Sequence, residues 1–262
     1  MNKKSPGLRV TNLVKDFGGL RAVDSISFQV EEGEFVGLIG PNGCGKTTTF
    51  NCISGLLQLT SGAVEVLGKN ATGMRPDQVQ KMWLTRTFQH TRLWKEMTVV
   101  ENLLVPPRRQ FSPNFALALL KPGSRSEEKI RIKDAYEVLD LLEIPHIAHS
   151  LAGELSGGQS KLVDIGRALM SSPKFLLLDE PVAGVAGPLA ERIFQNLKRL
   201  SIEKSIGMLI IEHNMEFILR RDVDRIIVMD RGSVLLEGTP DVIRKSKDVV
   251  EAYLGDPGTN KS

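Results

Sequence analysis

The sequence predicts an α/β fold built on a largely parallel sheet, and three observations carry that reading. Apolar runs of strand length recur at residues 36–39, 175–178 and 207–211; strands buried on both faces read as such continuous runs. Segments with helical periodicity separate them, as parallel strands joined by helical crossovers require. The first run empties into Gly40-Pro41-Asn42-Gly43-Cys44-Gly45-Lys46-Thr47 and then Thr48, which is G-x-x-x-x-G-K-[ST], a phosphate-binding loop between a strand and a helix. The chain has 262 residues, 41% of them hydrophobic, enough to bury a full core as one large domain or one domain with a subdomain.

Taken in order, residues 8–30 are strand-rich. Ile26, Phe28 and Val30 alternate with Ser27 and Gln29, giving one buried face, and Glu31-Glu32-Gly33-Glu34 turns the chain into the phosphate-loop strand. Phe17 lies between, in Lys15-Asp16-Phe17-Gly18-Gly19, and reads either as a core side chain or as a ring offered to a ligand. Beyond the loop helix a short strand is expected over 63–68. Residues 79–84 look helical and lead into Arg86-Thr87-Phe88-Gln89.

From 106 to 125 the composition shifts, with Pro106, Pro107, Pro113, Pro122 and Gly123 punctuating a short apolar run. This marks the edge of a separate helical subdomain. An amphipathic helix follows over about 127–142, with Ile130, Val138, Leu139 and Leu142 among its apolar positions. Ser156 is placed to cap a helix carrying Leu162, Ile165 and Leu169 on one face. Phe175-Leu176-Leu177-Leu178 is a buried strand ending in Asp179-Glu180-Pro181. Pro188 opens a helix bearing Leu189, Ile193, Leu197 and Leu200. Residues 225–229 and 233–237 form a hairpin about Asp230-Arg231-Gly232, and Thr239-Pro240-Asp241 starts a closing helix.

Composition excludes several classes. The 34 basic and 31 acidic residues leave a charge of +3 with no long block of one sign, so a nucleic-acid surface is not indicated. The first ten residues carry two lysines but no apolar stretch of signal-peptide type. No run approaches the eighteen or so apolar residues that span a bilayer, and a cytoplasmic location is expected. The two cysteines, Cys44 and Cys52, lie within and just beyond the loop, which argues against a disulfide framework or a zinc site.

Each loop residue has a chemical reason. Gly40, Gly43 and Gly45 allow the turn and bring backbone N–H groups to phosphate oxygens, while the helix that follows points its positive end at the same anion. Lys46 supplies a point charge to the β- and γ-phosphates and the Thr47 hydroxyl suits Mg²⁺. Four fixed positions recur by chance in roughly one such chain in a hundred, so nucleoside triphosphate binding is the reading. The 175–178 strand delivers Asp179 and Glu180 to the same carboxyl edge of the sheet. Asp179 there would hold Mg²⁺ and Glu180, one residue on, would polarise water. Cys44, two residues before Lys46 at a helix N-terminus, is expected to favour the thiolate and react with alkylating reagents, with Cys52 an inert core residue.

Leu155-Ser156-Gly157-Gly158-Gln159, taken with the loop and Leu177-Leu178-Asp179-Glu180-Pro181, resembles the ATP-binding cassette (ABC) proteins over nearly the whole chain. The resemblance implies a P-loop ATPase fold: one ABC domain over 8–262, an N-terminal antiparallel β portion, and a helical subdomain bearing the signature inserted at approximately 90–170. It further implies ATP and Mg²⁺ as cofactors. Phe17 matches the ring that stacks on adenine. Gln89 resembles the glutamine reaching the Mg²⁺ and the attacking water, Glu180 the general base, and His213 the residue that contacts the γ-phosphate. Ser156, Gly157, Gly158 and Gln159 match the signature that serves the ATP of a second cassette. A head-to-tail pair of the same or homologous chains follows.

Arg86-Thr87-Phe88-Gln89, Glu180-Pro181-Val182-Ala183-Gly184-Val185-Ala186, Glu212-His213-Asn214-Met215 and Ala252-Tyr253-Leu254-Gly255 are similar to the ATPase subunits of branched-chain amino acid importers. That subfamily works with transmembrane permease subunits and, indirectly, a solute-binding protein, on the cytoplasmic face of the membrane. Related lipid-export ATPases and soluble ABC ATPases acting on nucleic acid or ribosomes are the alternatives. One cassette without sustained heptads or charge excess weighs against the soluble class. Ala186 stands where many ABC proteins carry an aspartate, Asn214 where aspartate is frequent, and Cys44 where Ser or Ala is usual. Residues 89–97, with His90, Leu93, Trp94 and Met97 beside Arg92 and Lys95, suit a pocket for a partner helix, while packing within the helical subdomain is the other reading of Trp94.

Overall fold

A computed structural model describes residues 7–87, 93–105, 124–185, 187–212, 218–219 and 223–254. The chain divides into two compact units. The first gathers the described residues of Met1–Arg86, Lys174–Glu180 and Leu197–Ser262, the second those of Thr87–Pro173 and Pro181–Asn196.

The first unit begins with the antiparallel strands β1 (Leu8–Phe17) and β2 (Leu20–Val30), then β3 (Phe35–Ile39) and helix α1 (Lys46–Ile53). There follow β4 (Ser61–Val66), β5 (Lys69–Asn70), α2 (Pro76–Lys81) and β6 (Leu84–Arg86). Among the described residues, β2-β1-β4-β5 form one antiparallel sheet. Leu8 pairs with Val30, Val10 with Phe28 and Leu13 with Ile26, so the expected alternation holds: Ile26, Phe28 and Val30 are buried while Ser27 and Gln29 are exposed.

The second sheet adds β7 (Phe175–Asp179), β8 (Gly207–Ile211), β9 (Arg225–Asp230) and β10 (Ser233–Gly238). Its order is β10-β9-β3-β8-β7-β6, parallel throughout except for the β9–β10 hairpin. Every residue of β3, β7 and β8 is buried, as the apolar runs require. Phe50 and Ile53 of α1, Phe175, Leu177, Leu209 and Ile227 meet in one core with the buried face of the antiparallel sheet.

The second unit holds α3 (Val99–Leu104), α4 (Ser124–Leu141), α5 (Gly157–Met170) and the start of α6 (Gly187–Glu203). Leu162, Ile165 and Leu169 of α5 are buried as their spacing predicts. In α4 the expectation fails at Ile130, which is 55% exposed while Ala135, Leu139 and Leu142 are buried. At 100° per residue Ile130 lies about 180° around the helix from Leu139, so the two cannot share a face. The closing helices α7 (Pro240–Lys245) and α8 (Lys247–Leu254) return to the first unit.

Residues 79–84 also depart from expectation. Helix α2 stops at Lys81, Trp83 takes a left-handed φ of 68°, and Leu84 enters the edge strand β6 opposite Phe175. A non-glycine residue in that conformation cannot continue a right-handed helix, and its carbonyl instead accepts the N–H groups of Lys174 and Phe175. The change of element at Trp83 puts Arg86 at the end of the edge strand, with its side chain only 6% exposed.

Candidate functional site

The loop between β3 and α1 is shaped by close backbone contact. A Cβ on Gly40 (φ 151°) would fall 2.1 Å from the Met229 carbonyl oxygen, and one on Gly45 (φ 103°) 2.6 Å from that of Ala22. No larger residue fits either place. A Cβ on Gly43 would meet nothing within 4 Å, so the loop is approachable at that residue. Asn42, Gly43 and Thr47 are exposed, and Pro41, Gly45 and Thr48 half-buried.

Lys46 is only 4% exposed. Its Nζ donates to the carbonyls of Gly40 (2.7 Å) and Pro41 (2.9 Å) and lies 3.6 Å from Cys44 Sγ. Among the described residues no carboxylate forms an ion pair with it. A buried ammonium held only by neutral acceptors, at the start of a helix, is electrostatically matched to an added anion. The loop residues therefore fit a polyphosphate.

Cys44 does not behave as expected. It is 3% exposed, its N–H turns to the Pro41 carbonyl (3.3 Å), and its own carbonyl accepts from Gly232. Burial pushes its thiol pKa up, and the opposing pull of Lys46 does not reverse this. The sulfur faces protein, so the thiolate reading is overturned: desolvation of the charged form outweighs one neighbouring cation. Cys52 is buried as expected, with its pKa pushed up to about 11 by desolvation.

Across the sheet, Leu38 of β3 and Asp179 of β7 both pair with Ile211 of β8. Two strand spacings, about 10 Å, therefore separate the base of the loop from the Asp179 backbone. Asp179 is 3% exposed and its Oδ2 accepts from Arg86 Nη2 at 2.9 Å. An acid at this strand end, beside a loop fitted to phosphates, is a suitable oxygen ligand for Mg²⁺ together with the Thr47 hydroxyl. Glu180 is half-buried, with a φ of 49° and its N–H donating to the Ile211 carbonyl (3.0 Å). A non-glycine residue held there costs about 1 kcal/mol or more. The strand ends at Asp179 and the chain turns at Glu180.

Phe17 is 46% exposed at the end of the β1–β2 hairpin, with Lys15 Nζ 4.8 Å from its ring centroid. The core reading of Phe17 is thereby excluded. In the second unit, Ser156 caps α5. Its hydroxyl accepts from the Gln159 N–H (3.2 Å) and its own N–H donates to Gln159 Oε1 (2.9 Å). Gln159 thus serves the cap, while Ser156 and Gly157 are exposed at the positive end of the helix. Gln89 and His213, with His90, Arg92, Ala186 and Asn214, lie outside the described residues.

Two buried polar residues escaped the sequence reading. Arg86 holds Asp179, and its place directly before Thr87-Phe88-Gln89 was the available signal. Asn102, fully buried, accepts from the Trp94 N–H (2.9 Å) and donates to the carbonyls of Trp94, Met97 and Thr98. This amide orders the turn that presents Trp94, which is 44% exposed with the Arg167 guanidinium 4.5 Å from its ring centroid.

Comparison with known proteins accords with this geometry. Residues 23–183 match the ABC transporter family model, and residues 233–259 that of the branched-chain amino acid ATP-binding cassette transporters. BraF of Pseudomonas aeruginosa, a high-affinity branched-chain amino acid transport ATP-binding protein, is 39% identical over 252 residues, covering 96% of this chain and 98% of its own. The ADP conformation of an ATP-binding cassette from an ABC transporter superposes with a TM-score of 0.82 at 39% identity, over 96% of this chain and 100% of the other. The dimeric structure of a bacterial ABC transporter cassette gives 0.75 at 28% identity, over 89% and 98%. A polyphosphate-shaped loop, a strand-end acid pair and this near-complete likeness together establish that the chain belongs to the ABC transporter family, as an ATP-binding, ATP-hydrolysing cassette.

Proposed function

We propose that this cassette drives a membrane importer of branched-chain amino acids or a similar small polar solute, lying on the cytoplasmic face against transmembrane permease subunits that receive cargo from a solute-binding protein. The observation that carries the substrate class is the match of residues 233–259 to the branched-chain amino acid cassette model. Among the described residues no helix is long and apolar enough to cross a membrane; the proposed transport runs through separate spanning subunits. The cassette comprises residues 8–262, with the helical subdomain at approximately 90–170; the division into two compact units supports that organisation.

In the working site Lys46 and the loop N–H groups bind the β- and γ-phosphates, and Phe17 stacks on adenine. Thr47, Asp179 and Gln89 hold Mg²⁺, which when bound neutralises charge on the phosphate oxygens. Glu180 accepts the proton of the water that attacks the γ-phosphorus, releasing ADP and phosphate, and His213 contacts the γ-phosphate. Ser156, Gly157 and Gly158 reach the ATP of a second, identical or homologous subunit, with Gln159 fixing the helix start. Exposure of this helix terminus supports a use outside its own chain.

Co-purification tests the transport reading. The tagged chain, extracted with detergent from its native membranes, is expected to bring down transmembrane subunits. Transport of radiolabelled leucine in vesicles should depend on them. A chain that stays in the soluble fraction when candidate permeases are co-expressed, or pulls down ribosomal components instead, contradicts it.

A further inference from the structure

Arg86, the last residue of β6, lies opposite Leu177 of β7, two residues before Asp179. Its side chain is 6% exposed and that of Asp179 1%. One arm of the guanidinium, Nη2, donates to Asp179 Oδ2 at 2.9 Å. The other, Nη1, donates to Asn51 Oδ1 at 2.6 Å, on the last turn of α1, and to Ser54 Oγ at 3.2 Å, at its C-cap. The guanidinium carbon stands 5.5 Å from the centroid of the Phe50 ring. A planar fork held on one side by a helix and on the other by a carboxylate has little freedom to rotate away.

The helix so gripped is the one whose first residues, Lys46 and Thr47, form the phosphate loop. Arg86 therefore ties the strand end that carries Asp179 to the helix that carries Thr47. A carboxylate offers about four lone-pair directions, and the hydrogen bond from Arg86 Nη2 to Oδ2 restrains which way they point. Charged partners behind a metal-binding acid orient it and tune its affinity.

From this we infer that Arg86 is a positioning residue for the metal site: it restrains the orientation of the Asp179 carboxylate and its distance from Thr47, so that Mg²⁺ strengthens nucleotide binding. The inference rests on the proposed role of Asp179 as a metal ligand. A purely structural ion pair would stabilise the unit without acting on the metal in particular. The two are separable by comparing nucleotide affinity with and without the ion.

Binding of a fluorescent ATP analogue is measured in excess Mg²⁺ and in EDTA, for the full chain and for Arg86→Met, Arg86→Lys and Asp179→Asn. In Arg86→Met the gain in affinity conferred by Mg²⁺ is expected to fall about tenfold or more, with affinity in EDTA close to wild type. Arg86→Lys should recover part of the gain, since an ammonium cannot span Asn51 and Asp179 as a fork does. An unchanged gain in Arg86→Met, or equal loss in both conditions, overturns the inference. Loss of the gain in Asp179→Asn alone leaves the metal role of Asp179 standing and removes Arg86. An unchanged gain in Asp179→Asn removes the metal role itself. Should Arg86→Met not fold, Asn51→Leu cuts the anchor on α1 without touching the acid: a smaller fall in the Mg²⁺ gain supports the inference, and no fall overturns it.

Discussion

Glu180, the proposed base, sits in a backbone conformation that works against stability, and replacing it by glycine should reveal this. Its φ of 49° is left-handed, where a side chain with a Cβ costs about 1 kcal/mol relative to glycine. Glu180→Ala removes the carboxylate and keeps that cost; Glu180→Gly removes both. Ordinarily glycine is the less stable of the two by roughly 0.5–1 kcal/mol. Here the order inverts, and Glu180→Gly should be about 1 kcal/mol more stable than Glu180→Ala. With an unfolding entropy of about 2.1 cal/mol/K per residue, 1 kcal/mol corresponds to about 2 °C in Tm for a chain of this size. Scanning calorimetry of both variants without nucleotide, in EDTA, reads the difference directly. Glu180→Ala melting at or above Glu180→Gly would refute the claim that strain is held at this position. The same comparison at Ser156 (φ −63°), outside the left-handed region, should show no such inversion.

Two further outcomes follow from burial and exposure. Trp94→Ala should reduce transport by the assembled importer more than ATP turnover of the isolated chain, because the ring is partly exposed on a turn ordered by Asn102; equal losses would mean it only packs its own subdomain. Native protein at pH 8 should resist iodoacetamide at both cysteines and react at both after denaturation. With its pKa pushed to about 11, Cys52 is thiolate in only about one molecule in a thousand at that pH. Because the folded state retains that proton, the associated stability is complete below the ordinary thiol pKa of about 8.5 and is lost as pH rises through about 11. Rapid native modification of Cys44, slowed by ATP, would reinstate a reactive loop thiol.

The features that the sequence disclosed are those whose signal is local. The apolar runs of β3, β7 and β8, the alternation in β2 and the hairpin β9–β10 each state their burial within a few residues, and the loop from Gly40 to Thr47 needs no tertiary context to be recognised. What escaped depends on distant partners. Strand β6 is three residues long, too short for any period to register, and exists because Leu84 can pair with Phe175. With β6 unseen, the burial of Arg86 and its grip on Asp179 were invisible too. The direction of the Cys44 sulfur is set by contacts with Gly40 and Lys46 inside a folded loop, and a rule about helix N-termini could not supply the desolvation. Ile130 illustrates a different failure: an apolar residue was assigned to the buried face by type when its angular position places it opposite Leu139.

The most direct test of the central claim, hydrolysis of ATP between the phosphate loop and Glu180, is the turnover of Glu180→Gln measured beside its nucleotide affinity and its mass in solution. The account predicts wild-type affinity for ATP, turnover lower by about 10²–10⁴, and a dimer by light scattering in Mg²⁺-ATP that the wild type dissipates by hydrolysis. Near-wild-type turnover in Glu180→Gln would contradict it.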